Sequence, residues 1–331
     1  MQLAGLKRIL IIRLSSFGDI LLATPVIRSI KKNYPDLEID FVIREQYSDI
    51  LKENIYLHKV FTYTENNQEK SELINNLIEQ KYDLVVDLQN NFRSKELLKS
   101  LKCPKLKFRK RDFDKFLLVN FKINRLKNAP PIPIRYAEAL GNLSLDDESL
   151  DIFSSNQPNP TLITEKIYIG LCPGSKHFTK RWPMEHFINL GKLLEQNGYN
   201  VVLFGGKDDL HLCSELADRL NNVVNLCNDN DLLQTAADMN KCKVIFCNDS
   251  GLMHLATAVK VPVIAFFGST VEEFGFFPYK SKSMILQLEN LKCRPCSHIG
   301  RKSCPEKHFK CLNEISPQTA FDSLQKFIGA A

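Results

Sequence analysis

Twice in this chain a short apolar run ends in a polar turn and passes straight into a segment with helical spacing, and that arrangement restricts the fold most. The first instance runs from Ile9-Leu10-Ile11-Ile12 through Arg13-Leu14-Ser15-Ser16-Phe17-Gly18-Asp19 into Ile20, Leu21, Ala23, Thr24, Ile27 and Ile30. The second runs from Val244-Ile245-Phe246 through Cys247-Asn248-Asp249-Ser250-Gly251 into Leu252 to Val259. A strand feeding a helix through a tight turn is the first part of a βαβ unit, which builds parallel sheets. Such turns also bind anions, because small polar residues let a phosphate approach while the first helical turn offers unpaired N–H groups and the positive end of the dipole.

The same alternation fills the chain. In the first half it predicts strands at Arg8 to Leu14, Glu38 to Ile43 and Asp83 to Leu88, with helices reaching Lys32 and over Ser71 to Gln80. Pro25 leaves two readings: Thr24 caps a helix that begins at Pro25, or a helix begun near Gly18 bends there. Asp151 to Lys166 loses periodicity and reads as a linker. Strands then follow at Ile167 to Cys172, Asn200 to Phe204, Val223 to Leu226, Lys243 to Cys247, Pro262 to Phe267 and Ser283 to Leu288, and Ser316-Pro317 opens a last helix. A chain of 331 residues exceeds one ordinary core. The expected fold is therefore α/β, with two doubly wound lobes, residues 1–155 and 166–331. The last helix can pack back on the N-terminal domain, and ligands are expected in the cleft where strand-end turns face each other.

With 44% hydrophobic and 25% charged residues the composition is that of an ordinary globular protein. The start shows no charged segment followed by a long apolar one, and no run reaches the ~20 apolar residues that span a bilayer. The expected place is the cytoplasm, where the ten cysteines stay reduced. Net charge is +6, but between Arg93 and Lys127 thirteen Lys or Arg stand against three acids, with phenylalanines interleaved. That stretch is either a solvated helical face with some core residues or a surface for an anionic membrane or anionic acceptor. Nucleic acid is disfavoured, since no recognised binding motif accompanies it.

Three motifs in order, Ser15-Ser16-Phe17-Gly18-Asp19-Ile20-Leu21, Gly174-Ser175 through Lys180-Arg181-Trp182-Pro183, and Asp249-Ser250-Gly251-Leu252-Met253-His254-Leu255, resemble those of the lipopolysaccharide heptosyltransferases. This is glycosyltransferase family 9, which takes heptose from ADP-heptose. The resemblance runs nearly end to end and implies a GT-B fold with inverting, metal-independent transfer. It implies an acceptor-binding first domain and a nucleotide-sugar-binding second one. The implied partners are an ADP-heptose donor, a lipopolysaccharide core acceptor and the anionic inner-membrane surface, with no cofactor.

Inverting transfer needs a base for the acceptor hydroxyl and positive charge for the leaving diphosphate. The resemblance places the catalytic carboxylate on Asp19; by itself an acid there reads as a first-turn residue favoured by the dipole. Lys180 matches the family lysine that contacts the nucleotide phosphates, although a surface lysine is the plain alternative, and Ser175 matches a hydroxyl position of the same loop. Ser250, Gly251 and Leu252 would offer N–H groups and a hydroxyl to the phosphates. Asp249 is either a donor-binding residue or a helix cap, and His254 either a donor contact or a packed helix residue. Asp208, in Phe204-Gly205-Gly206-Lys207-Asp208-Asp209, aligns with the family's ribose-binding acid, with Asp209 as its competitor. On the acceptor side stand Ser15, Ser16 and Gly18, and two arginines, Arg13 and Arg93, whose forks suit carboxylates or phosphates.

Cys293, Cys296, Cys304 and Cys311 lie within nineteen residues, and reduced thiols at such spacing suggest tetrahedral zinc that staples a loop. Similar clusters occur in part of the resembled family without any metal being required for transfer. The rival functions are a related GT-B transferase using another nucleotide-sugar and a non-catalytic nucleotide-binding envelope protein. A dinucleotide-dependent dehydrogenase is disfavoured, because no G-x-G-x-x-G follows the first strand.

Overall fold

A computed structural model describes residues 3–141, 143–228 and 231–329. The chain divides into two compact units, Met1–Arg111 with Pro130–Phe153, and Asp112–Ala129 with Ser154–Ala331. The first carries β1 (Arg8–Ile12), β2 (Glu38–Arg44), β3 (Lys59–Tyr63), β4 (Leu84–Asp87) and β5 (Lys105–Lys107) in the order β3-β2-β1-β4-β5. The second carries β6 (Tyr168–Cys172), β7 (Asn200–Leu203), β8 (Val223–Asn225), β9 (Cys242–Asn248), β10 (Val263–Phe267) and β11 (Ser283–Gln287) in the order β11-β10-β9-β6-β7-β8. All neighbouring strands are parallel. These are the two helix-flanked, doubly wound α/β lobes expected from the sequence. Strand order reverses between β1 and β4 and between β6 and β9, so each sheet opens a crevice at the carboxyl ends of those pairs.

Central strands are apolar throughout because helices cover both faces of a parallel sheet. Ile9, Leu10, Ile11 and Ile12 are fully buried, as are Val263 through Ala265. The strands that the sequence reading lacks, β3 and β5, lie at the two edges of the first sheet. There Lys59, Thr62, Lys105 and Lys107 face solvent while Phe61 and Tyr63 are buried. One covered face gives no continuous apolar run.

Neither reading of the first helix holds as stated. A short helix, Phe17–Leu21, ends, and a second, Thr24–Asn33, starts with Thr24 in its first position and Pro25 in its second. The Thr24 hydroxyl donates to the Leu21 carbonyl at 2.7 Å and accepts from the Asp151 N–H at 2.9 Å. The linker is fixed at both ends, each within its own unit: Asp151 also pairs with buried Arg28, while the Asn159 N–H donates to Asp238 at 2.6 Å.

Two departures concern the second unit. Its last helix, Pro317–Gly329, packs Phe321, Leu324 and Phe327 in the core of its own unit, against helix Met184–Gln196. The segment 112–129, within the first half of the chain, also belongs here. Leu118 and Leu126 pack on Phe274 in a small separate core, because this amphipathic piece finds its apolar partner only after β10. Among the described residues no helix is long and apolar enough to cross a membrane.

Candidate active site

In the first unit the crevice beside β1 and β4 holds the Asp19 carboxylate. Ser16 caps the short helix, and Asp19, three residues on, accepts from the Ser16 N–H at 3.1 Å and the Ser16 hydroxyl at 2.8 Å. Its other oxygen lies 2.7 Å from Arg13 Nη2. The first-turn role and the predicted site position thus coincide. Burial works to raise the carboxyl, but Arg13 and the Ser16 hydrogen bonds outweigh it and hold Asp19 below the usual carboxylate range. Asp19 is ionised at neutral pH. Its stabilising contribution is complete above the unfolded value of ~4 and fades as pH falls through the lower folded value.

Arg13 is no free acceptor cation. It is buried, donates to the Leu88 carbonyl at 2.7 Å and packs its guanidinium 5.7 Å from the Tyr136 ring centroid. Burial pushes the Tyr136 phenol well up, with the Asp19 carboxylate adding to the effect. The turn itself hangs from Gln89, whose side-chain oxygen Oε1 accepts from the N–H groups of Leu14 and Ser15 at 2.9 and 3.2 Å. Ser15 is half-buried, Ser16 exposed and Gly18 buried in the short helix. Arg93 stands apart from the Arg13–Asp19 pair: it is exposed at the start of helix Phe92–Leu98 and pairs at 3.1 Å with Glu65, which also takes Arg44.

These contacts make a pH prediction. In Arg13→Leu, burial of Asp19 is left without its opposing charge, so the carboxyl should rise above ~4. The acid limb of the activity profile is expected to move up by about one unit or more; an unmoved limb would separate Arg13 from Asp19.

In the second unit the crevice beside β6 and β9 gathers a lysine, a carboxylate and a helix start. Lys180 Nζ sits 2.8 Å from Asp249 Oδ2, which also accepts from the Thr270 hydroxyl at 2.6 Å. Asp249 is therefore an anchor for Lys180 as well as a turn residue. Ser250 precedes helix Gly251–Ala258, whose first N–H groups, on Gly251 and Leu252, have no acceptor within the helix. The Ser250 hydroxyl is buried and, among the described residues, has no partner. Buried hydroxyls are normally hydrogen-bonded, which sets this one apart in the turn. Positive potential is also legible at His177, held below its usual value by burial and by Lys180 and Lys176.

Ser175 is buried, its hydroxyl donating to the Asp249 carbonyl at 3.3 Å. Arg181 turns away to the Ser175 carbonyl. His254 is buried in the helix. Asp208 is exposed in the turn after β7, whereas Asp209 folds back onto the Gly206 N–H at 3.2 Å. A Cβ on Gly174 would come within 2.1 Å of the Asp209 carboxylate, so the two loops meet only because residue 174 is glycine. Asp209 is thus structural, and Asp208 is the acid that remains outward.

Sequence reasoning missed the residues that hold these loops. Trp182 is buried, stacks on Phe266 with centroids 4.1 Å apart and donates through Nε1 to the Ile315 carbonyl at 2.9 Å. The Asn248 side chain accepts from the Trp182 N–H at 2.9 Å and donates to the Pro173 carbonyl at 2.8 Å. Trp182 and Asn248 lie inside the motif segments, but Gln89, Tyr136 and Thr270 carry no local signal.

The four cysteines of the last loop do not converge on one point. Among the described residues no three or more His, Cys, Asp or Glu side chains gather as a ligand set, and Cys293 Sγ stands 4.0 Å from His308 Nε2. Burial raises the thiols of Cys293, Cys296 and Cys311, the last to about 12. The loop is held instead by hydrogen bonds, the Cys296 N–H to the Ser269 carbonyl at 3.2 Å and the Arg301 N–H to the Thr179 hydroxyl at 2.8 Å.

Residues 71–309 match the model of glycosyltransferase family 9 (heptosyltransferase). Lipooligosaccharide heptosyltransferase 2 of Campylobacter jejuni is 27% identical over 327 residues, covering 94% of this chain and 95% of that one. The structure of Escherichia coli ADP-heptose lps heptosyltransferase II superposes with a TM-score of 0.74 at 25% identity over 97% of this chain and 98% of the other. A second E. coli heptosyltransferase, solved with ADP-2-deoxy-2-fluoro heptose, gives 0.71 at 21% identity over 96% and 99%. The two proteins compared at nearly full length match across both units, and this chain belongs to glycosyltransferase family 9, the heptosyltransferases.

Proposed function

We propose that this protein transfers heptose from ADP-heptose to the inner core of lipopolysaccharide, with inversion and without a metal. The acceptor hydroxyl oxygen forms a bond to the anomeric carbon as the bond from that carbon to the diphosphate oxygen breaks, and Asp19 takes the hydroxyl proton. Lys180, the N–H groups of Gly251 and Leu252, and the Ser250 hydroxyl bind the departing ADP; Asp208 meets the ribose. Ser175, Asp249 and His254 shape that donor loop, while Ser15, Ser16, Gly18 and Arg93 serve the acceptor, with Arg13 positioning the base.

The observations that carry this reading are two strand-end crevices, one holding the ionised Asp19 carboxylate beside Arg13, the other gathering Lys180, the Ser250 hydroxyl and the start of helix Gly251–Ala258. Donor and acceptor come from the heptosyltransferases this chain is similar to. Incubation with a panel of nucleotide-sugars and truncated core acceptors, followed by mass spectrometry, tests it. Heptose added only with ADP-heptose supports the reading; transfer from another nucleotide-sugar alone overturns the donor, and binding without any transfer overturns the enzyme.

The same proposal puts the protein at the anionic inner membrane. On segment 112–129, Phe113, Phe116, Phe121 and Ile123 are 50% to 64% exposed, with Lys115 and Arg125 among them and Arg109 to Arg111 just before. Each apolar side chain buried in the interface contributes about 1.5–3 kcal/mol and each basic residue ~1 kcal/mol. Replacing Phe113, Phe116 and Phe121 by Ser is expected to weaken co-sedimentation with anionic vesicles more than about tenfold. Equal sedimentation of variant and parent would remove this surface from the proposal.

A further inference from the structure

Two thiols meet beneath the turn that carries Asp208. Cys213 lies on helix Leu210–Ala217, directly after that turn, and Cys227 follows the end of β8 by two residues. The Leu226 N–H donates to the Leu203 carbonyl at 3.0 Å and the Asn228 N–H to the Gly205 carbonyl at 3.3 Å, so the Cys227 segment runs beside the end of β7. A Cβ on Gly205 would stand 2.8 Å from Cys227 Sγ and 3.0 Å from Cys213 Sγ, so both sulfurs occupy the space that a side chain there would fill. Cys213 Sγ is 3.9 Å from the Phe204 carbonyl oxygen, and Cys227 Sγ 3.4 Å from that of Gly206. Both cysteines are free.

The pair is chemically asymmetric. Cys227 is partly exposed, while Cys213 is fully buried. A hydrogen bond from the Cys213 thiol holds Cys227 below the usual thiol value although burial opposes it, and the same bond, with burial, pushes Cys213 up. A thiol that ionises readily, is reached by solvent and touches a second thiol is the arrangement that small oxidants convert to a disulfide. Cys172, Cys242 and Cys247 lack it, since each is buried and raised by its burial. The turn would feel such a bond. Asp209 Cβ lies 2.8 Å from the same point on Gly205, and the Asp209 carboxylate takes the Gly206 N–H and abuts Gly174, next to Ser175. A disulfide draws two sulfurs closer than a hydrogen bond does, so the Cys227 segment and helix Leu210–Ala217 must approach each other across Gly205.

We propose that Cys213 and Cys227 form an oxidation site, joined reversibly by hydroperoxides, and that their disulfide weakens nucleotide binding by displacing the turn of Asp208. With hydrogen peroxide, the Cys227 sulfur bonds one peroxide oxygen as the O–O bond breaks, and the departing hydroxide takes the Cys227 proton and leaves as water. The Cys213 sulfur then bonds the Cys227 sulfur as the S–O bond breaks, and the second hydroxide leaves as water with the Cys213 proton. The thiol pair loses two electrons, and the peroxide is reduced to two waters. The effect on binding rests on the nucleotide-sugar reading above; the bond itself does not.

The full chain is treated with hydrogen peroxide, alkylated and mapped by mass spectrometry, and ADP is titrated into reduced, oxidised and re-reduced protein. Expected are a linked Cys213–Cys227 peptide and an ADP affinity lowered by about fivefold or more, both reversed by dithiothreitol. Cys227→Ser should form no such peptide and keep its ADP affinity under peroxide, which separates this pair from the other cysteines. Cys213→Ala keeps the reactive thiol without its partner and should accumulate a sulfenic acid at Cys227 that dimedone traps. Peroxide that leaves both thiols free, or joins either to a different cysteine, overturns the site. A linked pair with unchanged ADP affinity overturns its effect on the turn. A reduced parent that does not bind ADP defeats the nucleotide-sugar reading and that effect with it, while the linked peptide still decides the bond.

Discussion

Asp19→Asn is expected to lower turnover by about 10²–10⁴-fold, the usual contribution of a positioned general base, while ADP affinity stays close to the parent's. Asn is the replacement closest in shape, but Asp19 uses Oδ1 for Arg13 and Oδ2 for the Ser16 N–H and hydroxyl, so the single amide oxygen can serve only one side while the NH2 faces donors on the other. Asn and Ala both remove the counter-charge of the buried Arg13 guanidinium, so loss of the base has to be told apart from a displaced loop. Single-turnover rates with saturating ADP-heptose, alongside ADP titration and circular dichroism, separate the two cases. A rate within about threefold of the parent would leave Asp19 as a helix-capping residue and nothing more.

The largest effect on stability should come from Trp182→Ala, which is expected to cost about 3–5 kcal/mol. The ring stacks on Phe266 and meets Phe187 edge-on at 4.9 Å, and its removal also strips the Ile315 carbonyl of its donor. For a unit of this size that is a fall of roughly 10 °C or more in the melting temperature. Trp182 is the only tryptophan, so the parent's intrinsic fluorescence reports on the second unit. The variant must be followed by circular dichroism. Lys180 lies two residues before Trp182, and freeing that loop should weaken ADP binding as well. If melting is unchanged, the side chain does not anchor this loop.

Much of the fold was legible because a strand covered on both faces must be apolar along its length, and runs such as Ile9 to Ile12 and Val263 to Ala265 declare themselves. Edge strands β3 and β5 did not, since Lys59, Thr62, Lys105 and Lys107 face water and break the run. Among candidate site residues, Asp19, Lys180 and Ser250 lie in turns that follow or lead from such strands, so the loop order alone brought them to switch points. Arg13 was visible as a cation, but its role was not: whether an arginine meets an acceptor or a carboxylate depends on what the helix three residues later places beside it. The cysteines show the converse, because ligand-like spacing is a property of the chain, while a ligand set requires side chains to converge.

The alternation of apolar runs and helical spacing determined, without coordinates, that this protein forms two parallel α/β lobes with polar turns at their strand ends, because backbone pairing and burial act on each local segment in the same way. Only the tertiary structure decided that Arg13 serves Asp19, that Asp249 and Thr270 hold Lys180, and that segment 112–129 completes the second unit beside Phe274. Those arrangements join residues from 6 to 156 positions apart, and a charge or an apolar face has no chosen partner until the chain has closed around it.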